Sequence, residues 1–324
     1  MAQKRKPAKA SAKPAAKTAS KATAKAPAKT PAKFKLWVAG ARLRTLPLAV
    51  APVAIGVGSA AAVQAFNLGL SLLALAVALF LQIGVNYAND YSDGIRGTDD
   101  FRVGPMRLTG SKAVPAKQVK YAAFASFGLA ALAGLAIVAL TQLWWLLGVG
   151  AVAIIAAWFY TGGKRPYGYA GLGELVVFVF FGPVASMGTA FIQIGRFDGN
   201  SLLGGIAAGS WAAAVLMVNN IRDIKQDSLS GKRTLAVKLG ERWSKVFYCV
   251  LVLVPFPILV PFLLLYPATW IAWFAALFAL PLVLIVSTAK TVPELLLALK
   301  LTSFAALAYA VFLAWGLYKI SAII

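Results

Sequence analysis

From residue 45 onward, long apolar runs alternate with short polar breaks along the chain. An α-helix rises 1.5 Å per residue, so crossing the roughly 30 Å hydrocarbon core of a bilayer takes about 20 apolar residues. Nine runs approach that length, near 45–66, 69–89, 120–140, 143–161, 173–194, 202–221, 246–266, 269–289 and 300–319. Some of the breaks are slight: Asn67 parts the first two runs, Thr141–Gln142 the third and fourth, and Tyr266–Pro267 the seventh and eighth. The pattern predicts an all-α, polytopic membrane protein with nine transmembrane helices.

The first 33 residues depart from this pattern. They are rich in Lys, Ala, Pro, Thr and Ser, with no acidic residue and, after Met1, no large apolar side chain before Phe34. Such a stretch buries too little surface to offset its ordering entropy. It also lacks the apolar segment of a signal peptide. The expected organisation is a disordered basic tail over 1–33 and a transmembrane domain over 34–324, the tail being suited to solvent or to anionic lipid headgroups.

Composition agrees. Of 324 residues, 60% are hydrophobic, against about 45–50% in soluble domains. The net charge of +22 would suggest nucleic acid in a soluble protein; here its placement points to a lipid bilayer and to no nucleic-acid partner. With the N-terminus in the cytosol, the tail and the loops at 90–119, 162–172, 222–245 and 290–299 face inward. All but two of the 32 Lys and Arg, the exceptions being Arg196 and Lys319, then lie on that side. This one-sided distribution is the positive-inside signature. It predicts a multi-pass protein of the cytoplasmic (inner) membrane whose working face is cytosolic.

The chain has no histidine and one cysteine, Cys249. Ser-His catalysis, His-ligated zinc and disulfides are therefore excluded, and any metal must be held by oxygen, as Mg²⁺ is. Six of the ten acids fall in two groups at the cytosolic ends of the second and sixth runs. The first comprises Asn86, Asn89, Asp90 and Asp93, followed by Asp99 and Asp100; the second comprises Asn219, Asp223 and Asp227. The pattern Asn-x-x-x-Asp occurs at 86/90 and again at 219/223, with an even number of spans between, so both groups return to one side. Helical spacing places each group along one face, where like charges repel unless a cation lies between them. Two such ledges suit Mg²⁺ held by Asp90, Asp93, Asp223 and Asp227, assisted by Asn86 and Asn219, with coordination positions left for phosphate oxygens. Arg102, Arg107, Lys164, Arg165 and Lys232 surround the same face as candidate diphosphate ligands. No Walker A loop or dinucleotide fingerprint accompanies them.

Asn89-Asp90-Tyr-Ser-Asp93 and Asp223-Ile-Lys-Gln-Asp227 resemble the two aspartate-rich motifs of the UbiA superfamily of intramembrane aromatic prenyltransferases. Tyr160-x-x-x-Lys164 resembles that family's middle-loop motif. Arg44-Thr-Leu-Pro, the run Asn86 to Asp99, Gly104-Pro-Met-Arg107-Leu-Thr-Gly and Gly231-Lys232-Arg-Thr-Leu-Ala-Val-Lys-Leu-Gly240 are similar to the MenA branch. The resemblance implies a nine-helix bundle that transfers a polyprenyl chain, with Mg²⁺, from polyprenyl diphosphate to 1,4-dihydroxy-2-naphthoate, with decarboxylation, in menaquinone synthesis. It further implies substrate contacts at Arg44, Asn86, Asn89, Tyr160 and Asn219. Where many members carry a further Asp four residues after the one matching Asp93, this chain has Gly97, with Asp99 following. The alternatives are another aromatic acceptor, such as 4-hydroxybenzoate, on the same fold, and a cation-coupled transporter.

Overall fold

A computed structural model describes residues 33–98 and 107–321. The expectations for the tail, for Asp99 and Asp100, and for Arg102 fall outside these residues. Every regular element among the described residues is helical. Seven helices are long and apolar enough to cross a membrane: Leu68–Ile95, Ala116–Thr141, Gly173–Ile194, Gly199–Leu229, Leu235–Leu265, Pro267–Thr288 and Val292–Lys319. A bent pair, Phe34–Thr45 and Pro47–Ala62, meets at 48° and makes an eighth if counted as one span.

The run expected at 143–161 forms a helix only over Leu146–Phe159, so the expected nine full spans are not reached among the described residues. Gln142 adopts a left-handed conformation that closes the preceding helix, and Trp144 and Trp145 are spent on the turn. Fourteen residues rise only about 21 Å, short of the hydrocarbon thickness.

The two acid-bearing helices run past their apolar stretches. Leu68–Ile95 carries Asp90 and Asp93 within its last two turns, and Gly199–Leu229 carries Asp223 and Asp227. Each is followed within two residues by a glycine with positive φ, Gly97 at 70° and Gly231 at 77°, a conformation that ends helices at little cost only for glycine. At their other ends Asn67 and Asp198 cap the helices by accepting from the Leu70 and Ser201 amides.

The largest core cluster joins Pro47–Ala62, Gly199–Leu229 and the last three long helices around Trp211, Tyr248, Phe262 and Tyr309. A second cluster, around Tyr87, Val119 and Phe127, joins Leu68–Ile95 to Ala116–Thr141. Outward side chains such as Leu132, Leu264 and Leu284 are more than 60% exposed, as expected where the surrounding solvent is lipid rather than water.

The Gly173–Ile194 helix is broken by a π-helical turn over Phe180–Val184, with Gly182 outside helical geometry. There it closes on Gly199–Leu229 backbone to backbone. A Cβ on Gly182 would lie 2.5 Å from the Gly205 carbonyl oxygen, and one on Gly205 would lie 2.9 Å from Pro183 Cα. A Cβ on Gly209 would run into the Phe178 carbonyl. Gly209→Ala is therefore expected to push the helices apart and to destabilise the protein by about 1–3 kcal/mol. Thermal unfolding of the full chain in detergent measures this, and an unchanged midpoint would show that the contact yields freely.

Candidate active site

A cavity of about 620 Å³ lies between these helices. Its body is apolar, with Val53, Val77, Leu81, Ile154, Phe181 and Leu216 on its walls. One end is polar and is built from the two acid-bearing helices.

On Leu68–Ile95 the cavity face reads Gln82, Asn86, Asn89 and Asp93, successive steps of three or four residues along one helical stripe. On Gly199–Leu229 it reads Asn219, Asn220, Asp223 and Asp227. Arg42, Thr45, Arg107, Tyr160, Thr161, Tyr169 and Lys232 also border the cavity. Most of the candidates read from the sequence thus converge: Asn86, Asn89, Asp93, Arg107, Tyr160, Asn219, Asp223, Asp227 and Lys232.

Asp93 is the centre of this end. It is 4% exposed. Its Oδ1 accepts from Lys232 Nζ at 3.1 Å, its Oδ2 lies 3.7 Å from Arg107 Nη2, and Tyr169 donates its hydroxyl to Oδ1. Lys232 Nζ also lies 4.0 Å from Asp227 and 4.6 Å from the centroid of the Tyr169 ring. Burial alone would lower the Lys232 pKa, but attraction to Asp93, Tyr169 and Asp227 outweighs it and holds the ammonium above the ordinary lysine range. On the lysine side, the stability this pairing contributes is present below that range and is lost as pH rises through the elevated value. Burial and the Asp93 charge raise the Tyr169 phenol in turn. Asp223 is gripped by its neighbour, with Arg222 Nε donating to Oδ1 at 2.7 Å and Nη2 also reaching Oδ2.

Asp90 faces elsewhere. Being one position on from Asn89, it projects toward the turn at 107–110. There its two oxygens accept the Leu108 and Thr109 amides, both at 2.8 Å. It does not border the cavity; it anchors the segment that carries Arg107. Arg44, Lys164 and Arg165 do not border the cavity either, and the latter two are exposed. Asn86 spends its amide nitrogen on the Ala41 carbonyl and Thr45 hydroxyl.

Several residues of this site escaped the reading of the sequence. Gln82 extends the polar stripe of its helix by one turn and was legible as such. Tyr169 was not legible, because it lies in a connector and reaches Asp93 only through the fold. That connector is strapped to both acid-bearing halves. Arg96 donates to the Thr161 and Gly163 carbonyls, Thr161 donates to Asn89 at 2.8 Å, and Arg233 N donates to the Tyr169 carbonyl at 2.9 Å.

The donors at this end fit a hard cation in chemistry. Carboxylate and carboxamide oxygens face the cavity, with no thiol or imidazole among them. Among the described residues no three acids gather as a ready-made cluster; Asp93 and Asp223 are held by the protein's own cations.

A helical membrane protein with a long apolar cavity that ends in facing carboxylates and cations defines a class: an intramembrane enzyme that handles an apolar chain with an anionic head. The comparisons name the family. Residues 49–294 match the UbiA prenyltransferase family, and the chain belongs to it. A 1,4-dihydroxy-2-naphthoate octaprenyltransferase of Mycobacterium tuberculosis is 48% identical over 215 residues, 66% of this chain and 73% of that protein. One from Haemophilus influenzae is 40% identical over 261 residues, 78% and 84% of the two chains. Among solved structures, a UbiA homologue from Aeropyrum pernix superposes with a TM-score of 0.63 at 19% identity, covering 86% of this chain and 98% of that one. A homologue from Archaeoglobus fulgidus bound to GPP and Mg²⁺ gives 0.62 at 16% identity, covering 88% and 99%. The protein is a prenyltransferase with a multi-pass helical membrane fold.

Proposed function

We propose that this enzyme transfers a polyprenyl chain from its diphosphate to 1,4-dihydroxy-2-naphthoate, with loss of CO₂ and diphosphate, giving the hydroquinone form of demethylmenaquinone. The observation that carries the reading is the convergence of Asp93, Asp223 and Asp227 with Arg107 and Lys232 at one end of an apolar cavity. The relatives of 40% identity and more point to the acceptor.

In this reading residues 34–324 form the catalytic domain. The basic loops and the N-terminus face the cytoplasm across the inner membrane. Asp93, Asp223 and Asp227 hold Mg²⁺, with Asn89 and Asn219 completing the oxygen set; bound there, Mg²⁺ supplies Lewis-acid stabilisation of the leaving diphosphate. Lys232 and Arg107, which pair with Asp93 in this structure, turn to the diphosphate oxygens. The apolar walls take the prenyl chain and exclude water from the allylic carbon as its C–O bond breaks. The new bond forms between that carbon and the electron-rich ring, and the ring carboxylate leaves as CO₂.

Membranes containing the protein, supplied with polyprenyl diphosphate, Mg²⁺ and either 1,4-dihydroxy-2-naphthoate or 4-hydroxybenzoate, test this reading. The hydroquinone of demethylmenaquinone, read as the quinone after oxidation by air, is expected from the first acceptor alone, and chelation by EDTA is expected to abolish it. Product from 4-hydroxybenzoate alone would retain the chemistry and replace the acceptor.

A further inference from the structure

Glu174, near the start of the Gly173–Ile194 helix, lies apart from the residues assigned to the diphosphate. It is 3% exposed. Its Oε1 accepts a 2.8 Å hydrogen bond from Asn220 Nδ2, and its Oε2 is buried without a partner. The ion pairs seen among the described residues join Arg107, Arg222, Lys232 and Lys245 to other acids, none to Glu174. A carboxyl in a membrane-spanning helix without a cation is expensive to keep.

Its surroundings show what it acts on. Asn220 and Tyr160 border the cavity, and Glu174 stands behind them. The helix start touches Tyr160 directly: a Cβ on Gly173 would lie 3.3 Å from the Tyr160 ring and 3.5 Å from its hydroxyl. Glu174 Oε1 accepts, so it holds the amide nitrogen of Asn220 and turns the carbonyl oxygen the other way. The group that Asn220 offers to the cavity is then a fixed hydrogen-bond acceptor, one helical turn from Asp223. A diphosphate carries only acceptor oxygens and has no use for it. A ring hydroxyl is a donor and fits it.

We infer that Glu174 is a positioning residue for the aromatic acceptor: it locks Asn220 so that the amide carbonyl receives the proton of a ring hydroxyl. The inference rests on the proposed transfer to a dihydroxy aromatic acid. It divides the polar end of the cavity into a cationic side for diphosphate, at Arg107 and Lys232, and an acceptor-only side for a hydroxyl, at Asn220. In Glu174→Gln the side-chain amide can donate as well as accept, Asn220 is free to turn over, and the preference for a donor is lost.

Steady-state kinetics of the full chain in lipid vesicles test this, with polyprenyl diphosphate and either 1,4-dihydroxy-2-naphthoate or its two monomethyl ethers as acceptor. For Glu174→Gln the KM for the dihydroxy acid is expected to rise about tenfold, the equivalent of one hydrogen bond of about 1.4 kcal/mol. The KM for the diphosphate should stay within twofold. The wild-type preference for free hydroxyl over one of the two ethers should fall by a similar factor, and Asn220→Ala should lower the same preference. Wild-type preference retained in either variant overturns the inference, as does an equal rise in both KM values, which would mark Glu174 as merely structural. A wild-type protein that prenylates 4-hydroxybenzoate but not the dihydroxy acid would instead remove the reading on which the inference rests, and the inference with it.

Discussion

Asp93→Asn is expected to lower turnover about a thousandfold while leaving the protein folded. The substitution keeps the volume and the ability to accept from Tyr169, but removes the charge that Lys232 and Arg107 share. In the proposed mechanism it also removes a charged oxygen donor for a doubly charged cation, worth several kcal/mol at about 1.4 kcal/mol per factor of ten. Lys232 has Asp227 within 4.0 Å to turn to, so the unfolding midpoint should change little. Product formation in membranes, set beside thermal unfolding of the same preparation, checks both halves. Activity within tenfold of wild type would remove Asp93 from the metal site.

Asp90→Ala is expected to act through stability. It strips the Leu108 and Thr109 amides of their acceptors in a region where Asp90 is 1% exposed. Each unpartnered buried donor costs about 1–3 kcal/mol. The segment that carries Arg107 loses its anchor, so activity should fall together with the unfolding midpoint, and the KM for diphosphate should rise. Asp90→Asn keeps one acceptor oxygen and should lie between the variant and wild type on both measures. If Asp90→Asn instead abolished turnover at an unchanged midpoint, Asp90 would belong at the metal after all. The neighbouring aspartates of one motif are thus separable by experiment: one sets charge in the cavity, the other holds the loop beside it.

Internal repetition misled the sequence reading in one respect. It matched Asn86/Asp90 with Asn219/Asp223, whereas Asn89/Asp93 borders the cavity whole, together with Asn219 and Asp223, and of Asn86/Asp90 only Asn86 does. Both pairings have the same helical spacing. Which aspartate points inward depends on the rotation of Leu68–Ile95 about its own axis, and that rotation is set by the packing of Tyr87 and Ala88 into the cluster with Val119 and Phe127. The exposed pair Lys164 and Arg165 shows the same limit. Sequence position placed them between the two acid-bearing halves, but the connector turns Tyr169 inward and leaves them outward. Glu174 did leave a trace in the chain, as a lone acid at the start of an apolar run, but without a partner motif nothing tied it to the cavity.

What could be read from the chain alone was set by transfer free energies and by composition. Apolar runs long enough for a bilayer, basic segments between them, two acid groups at helix ends and the absence of histidine can each be read from the chain without its fold. They predicted an all-helical membrane protein, as the structure shows, and proposed that any metal would be held by oxygen. What the tertiary structure decided concerns direction: which aspartate enters the cavity, which cations meet it, that 146–159 falls short of a full span, and that Glu174 stands behind Asn220. These depend on helix rotation, on bends at Leu46 and Gly182, and on contacts between residues far apart in the chain, such as Asp93 with Lys232. Local pattern carries no information about them, because every rotation of an apolar helix satisfies the membrane equally until its neighbours are packed against it.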